Sequence, residues 1–64
     1  MQDQARFRLA RGLYVKHYKS LRERYKNDGR EDYDAHARNV AEQLVVQKFG
    51  KELAKQAKES QHGT

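Results

Sequence analysis

Tyr25-Lys26-Asn27-Asp28-Gly29-Arg30-Glu31-Asp32-Tyr33, residues 25–33, holds the strongest chain-breaking signal in this 64-residue sequence. Asn and Asp hydrogen-bond their own backbone and so favour turns. Gly29 can take the left-handed backbone that ends a helix. Beyond it, Glu31, Asp32 and Asp34 supply the negative charge that suits the positive end of a new helix. Asp28-Gly29-Arg30-Glu31 also has the spacing of a capping box, with Asp in place of Ser or Thr. Asp34 and Arg38 are an i,i+4 pair in the favourable direction. A break this short makes antiparallel neighbours of the two helices it joins. The stretch therefore predicts a helical hairpin.

Upstream, Phe7, Ala10, Tyr14, His17, Tyr18, Leu21 and Tyr25 share one face at 100° per residue, with Leu13 at its border. This spacing predicts a helix over Met1–Asn27, capped by the Asp3 carboxylate. Leu21 is its most central large aliphatic residue, and Leu9 points off the stripe. Gly12 also lies away from the face, where it costs about 1 kcal/mol relative to Ala. Downstream, Tyr33, Ala37, Val40, Ala41 and Leu44, with Val45 at the edge, predict a second helix over Glu31–Phe49.

A second apolar stripe follows. Val46, Phe49, Leu53 and Ala57 point away from the first stripe of helix 2. Gly50 leaves two alternatives open. It ends helix 2 so that a third helix, Lys51–Ser60, folds back on the hairpin. Or the helix runs on and offers Val46, Phe49, Leu53 and Ala57 to a protein partner. The expected architecture is therefore all-α: an antiparallel helical hairpin with a short third helix or helical extension, completed by dimerisation or by docking on a partner. A single domain spans 1–60, and 61–64 is expected to be a disordered tail. Dimeric four-helix bundles use such a layout. No residue pattern accompanies the likeness, so it carries no function.

Size and composition restrict the rest. Chains this short bury only about 60% of their unfolded surface and need staples, fine packing or a partner. The sequence has no Cys, so disulfides and thiolate metal sites are out. No apolar run approaches the ~20 residues of a membrane span. Arginines interrupt the N-terminal residues where a signal-peptide core would lie. A cytoplasmic protein is the expectation.

The charge is one-sided. Residues 1–30 carry nine Lys/Arg and three acids, whereas residues 31–64 carry five and six. Arg8, Arg11, Lys19, Arg22 and Lys26 follow a helical 3/4 spacing, with Lys16 at the edge. They span about 27 Å at 1.5 Å per residue and lie roughly 130° from the apolar face. Between Asp3 and Asp28 the only acid is Glu23, whereas a merely solvated face mixes both signs. Arg outnumbers Lys up to residue 26, which suits forked contacts to phosphate. Base reading would want Asn or Gln among these cations, and none lies between Gln4 and Asn27. The pattern points to a small basic accessory protein that binds nucleic-acid backbone, DNA or RNA, through helix 1. The competing reading is a protein-interaction module, an inhibitor, adaptor or complex subunit. It would dock through the Val46/Phe49/Leu53 stripe while its cations meet an acidic protein.

Other chemistries have little support. Tyr14, Tyr18, Tyr25 and Tyr33 could stack bases, but all four fall on apolar stripes and suit packing better. Asp32 and His36 stand at i,i+4, yet two ligands do not make a closed metal site. There is no phosphate loop or nucleophile motif, and a chain this size is too small to enclose a pocket of ~300 Å³. No enzymatic activity and no cofactor are expected. A helix-turn-helix centred on Gly50 would need apolar anchors where Lys51 and Gln56 stand. Helix 1 is too polar on its Tyr-rich face for ready insertion into a membrane surface.

Overall fold

A computed structural model describes the backbone of residues 2–62 and the side chains of residues 4–59. The described chain is all-helical: α1 (Gln2–Asn27), α2 (Tyr33–Phe49) and α3 (Lys51–His62). The long α1 sets the longest dimension, 42 Å, and the Cα envelope is only 15 Å thick. Each helix touches the other two. The Asp3 side chain, expected to cap α1, lies outside the described residues. So do residues 63 and 64 of the expected tail, while α3 takes in 61 and 62.

The first turn closes by main-chain hydrogen bonds. The Gly29 amide donates to the Lys26 carbonyl and the Arg30 amide to the Tyr25 carbonyl, both at 3.1 Å. With Gly29 at φ 82°, this is a Schellman ending. The Arg30 guanidinium lies 5.9 Å from the centre of the Tyr25 ring, at the place where an apolar contact usually seals the motif. The expected capping box at 28–31 does not form, and α2 starts at Tyr33 rather than Glu31. The reason is local. Residues 28 and 29 are occupied in ending α1, and Asp32 at the N-cap pairs with Arg30 Nε at 2.8 Å instead of capping the backbone.

Gly50 separates α2 from α3. It sits at φ 99°, ψ 164°, a backbone region that side chains with a Cβ almost never enter. Its amide donates to the Val46 carbonyl at 2.9 Å, closing α2, while its carbonyl accepts from the Ala54 amide at 3.1 Å, opening α3. Of the two alternatives open in the sequence, the break is the one found.

The core is thin and alanine-rich. Ala10, Tyr14, Ala37, Ala41, Val45, Ala54 and Ala57 are fully buried, and Tyr14 and Val45 are the largest of them. Small side chains at the contacts bring helix axes close together. Around this centre pack the half-buried Leu13, Val15, Tyr18, Leu21, Val46, Phe49 and Leu53. The second apolar stripe is thus used within the chain. Ala57 is fully buried and so is withdrawn from the expected protein interface, while Val46, Phe49 and Leu53 keep only part of their surface.

Candidate nucleic-acid interface

The face in question is the outer side of α1. The apolar stripe turns inward, with Ala10 and Tyr14 buried and Phe7, His17, Tyr18, Leu21 and Tyr25 half-buried. That orientation fixes the rest of the helix. Arg8, Arg11, Lys16, Lys19 and Lys26 are exposed, and none makes an ion pair among the described residues. Five cations are therefore arrayed along α1 without an ion pair, with Glu23 as their one acidic neighbour among the described side chains of the helix.

Arg22 behaves differently. Its Nε donates to Asp34 Oδ1 at 3.1 Å, and its guanidinium lies 5.2 Å from the centre of the Tyr33 ring. It belongs to a clasp that joins α1 to the first turn of α2. Asp34 also accepts a hydrogen bond from the Tyr18 hydroxyl and pairs through Oδ2 with Arg38 Nε at 3.2 Å. These partners, the Tyr18 hydroxyl first, hold the Asp34 carboxyl below its ordinary range. Its own hydrogen bond to Asp34 raises Arg22 further above its already high value. The i,i+4 pair with Arg38 was legible in the sequence. The Tyr18 and Arg22 contacts, sixteen and twelve residues away, carried no sequence signal. A second clasp fastens α3, where Lys58 Nζ donates to Glu42 Oε1 at 3.1 Å and to Asn39 Oδ1 at 3.3 Å.

Every tyrosine is engaged inside the chain. Tyr14 stacks parallel to Tyr18 with centroids 6.1 Å apart. Tyr25 meets the His36 ring edge-on at 4.6 Å. Arg38 covers Tyr18 at 5.6 Å, and Arg22 covers Tyr33. The rings pack the hairpin, as their stripe positions implied. His36 and Asp32 are likewise taken up by Tyr25 and Arg30. Among the described residues no group of three or more His, Asp or Glu side chains is placed to hold a metal ion.

Two grooves border the basic face, of about 440 and 480 Å³, and both are open to solvent. The larger lies beside Tyr18, Lys19, Arg22 and Lys26, with the exposed acid Glu23 among the cations. The other lies further toward the N-terminus of α1, against the end of α2. Among the described residues no helix is long and apolar enough to cross a membrane. The chain matches no protein-family model, no curated protein and no solved structure.

Proposed function

We propose that the protein is a non-enzymatic accessory factor that binds the phosphate backbone of nucleic acid through α1. The observation that supports this most is the row of exposed cations Arg8, Arg11, Lys16, Lys19 and Lys26 on one helix, none of them in an ion pair among the described residues. Each can release counterions from a phosphate chain without first breaking an internal salt bridge. Arg22 stands apart from this set because Asp34 already holds it.

Phosphate contacts of this kind position a protein without reading sequence. Affinity should therefore depend on charge and vary little with base composition. Reversing charge in Arg8→Glu, Lys19→Glu and Lys26→Glu together removes three contacts and no core packing. Fluorescence anisotropy with labelled duplex and single-stranded oligonucleotides should show binding by the wild type and none by the triple variant. Undiminished affinity in a triple variant that circular dichroism shows to be folded would refute the reading.

A further inference from the structure

The groove at the N-terminal half of α1 has an apolar floor and a cationic rim. Gly12, Leu13 and Phe49 form the floor, and Leu9 stands at its edge. Leu9 is the one large apolar side chain left exposed among the described residues, at 64%. Arg8 and Lys16 of α1 and Lys48 of α2 form the rim. Among the described residues none of the three is ion-paired and no acid lines the groove.

Gly12 is informative here. It lies inside α1 with no positive φ, and a Cβ built on it would meet nothing within 4 Å. The fold therefore needs no glycine at this place, neither for backbone conformation nor for close packing. It nevertheless carries the penalty that glycine brings to a helix interior relative to alanine. What Gly12 does provide is open space on the groove floor.

We propose that this groove is a docking site for an acidic peptide segment that carries one bulky apolar anchor. The anchor fills the space over Gly12 between Leu9, Leu13 and Phe49, and flanking carboxylates meet Arg8, Lys16 and Lys48. Charge complementarity selects this occupant. A second copy of the chain would bring a net charge of +5 and the same three cations against the rim. A nucleic-acid backbone satisfies the cations but has no apolar group for the floor. A bilayer surface is flat and would engage Leu9 alone, whereas surface helices insert a continuous apolar face. The site shares Arg8 and Lys16 with the nucleic-acid face and differs from it by Lys48 and the apolar floor, while Lys19 and Lys26 lie outside it.

The test uses the full chain and a short synthetic helical peptide with a single Phe among glutamates. Two control peptides replace the Phe by Ala or the glutamates by Gln. Calorimetry should show binding of the first peptide, and loss of the anchor should weaken it about tenfold to a hundredfold. Gly12→Leu fills the floor and favours the helix. It should weaken the anchored peptide at least about tenfold while leaving duplex affinity within about twofold. Lys48→Glu should act in the same direction as Gly12→Leu. Lys19→Glu with Lys26→Glu should reduce duplex affinity and spare the peptide. Equal binding of the anchored and Ala peptides would overturn the proposal. So would indifference to Gly12→Leu, or an equal loss of duplex and peptide affinity in that variant. A Leu9-dependent association with phosphatidylserine vesicles, or a dimer abolished by Gly12→Leu, would reassign the groove and overturn it too.

Discussion

Gly50→Ala should destabilise the protein, and its sign distinguishes the folded-back α3 from a continuous helix. The native backbone at φ 99°, ψ 164° lies in a region that costs a residue with a Cβ about 1–3 kcal/mol. No neighbouring atom lies within 4 Å of an added Cβ, so the penalty is in the backbone and not in a clash. The stiffer unfolded chain offsets about 0.4–1 kcal/mol of it. At the centre of these ranges the net loss is about 1.3 kcal/mol, or roughly 5–10 °C in Tm for a domain of this length. Relief of this strain by continuing α2 into α3 would take Ala54 and Ala57 out of the core and part Lys58 from Glu42. Self-association should then rise, because the released stripe needs a partner. Thermal and urea unfolding followed by circular dichroism, with sedimentation velocity, checks both effects. Gly12→Ala serves as the opposite control and should gain about 1 kcal/mol in an open helical site. A Gly50→Ala protein that melts higher and is more helical would show a continuous helix and refute the reasoning.

The two stacked tyrosines should respond oppositely to loss of the hydroxyl. The Tyr14 hydroxyl is buried with no hydrogen-bond partner among the described residues, so Tyr14→Phe should leave stability unchanged or raise it by about 1 kcal/mol; Tyr18→Phe removes a donor to Asp34 and should cost about 1 kcal/mol in the same urea titration. Burial pushes the Tyr14 phenol above its ordinary 10.0, with the Arg38 charge opposing; its contribution is therefore complete below pH 10.0 and is lost as pH rises through the folded value, a loss that Tyr14→Phe should abolish. The Asp34 carboxyl is held below 3.8, so its contribution is complete above that value and is lost as pH falls through the folded one; Asp34→Asn should flatten the acid limb of Tm against pH. Leu21 is half-buried against the core, and Leu21→Ala should cost about 1–3 kcal/mol, whereas exposed Leu9→Ala should cost under about 0.5 kcal/mol by denaturant unfolding.

The hairpin was legible because its signals are local. The stripe from Phe7 to Tyr25 repeats at the helical period, and all its members turn inward. The break at Gly29 is written in the residues that make it. Gly50 was ambiguous, because glycine both ends helices and bends them, and only the packing of α3 decides. That packing rests largely on alanine. Ala54 is fully buried yet falls outside the stripe drawn through Val46, Phe49, Leu53 and Ala57. Alanine is common on both faces of helices, so its periodicity is weak even where close approach makes it central. The clasp at Asp34 was half legible. Its i,i+4 partner Arg38 follows from helical spacing, but Tyr18 and Arg22 reach it only once the hairpin sets the register of α1 against α2. The same register moves Arg22 from the candidate binding face into the fold.

The salt dependence of nucleic-acid affinity tests the central claim most directly. If Arg8, Arg11, Lys16, Lys19 and Lys26 each neutralise a duplex phosphate, the slope of log affinity against log salt should approach about −4.5, at about −0.9 per contact. A single strand should give about −3.5, at about −0.7 per contact. Titrations across a range of salt concentrations, with duplexes of different sequence, should give slopes of about −3 or steeper that do not change with base composition. A slope near zero, or no measurable binding at low salt, would contradict the assignment of α1 as a phosphate-binding helix.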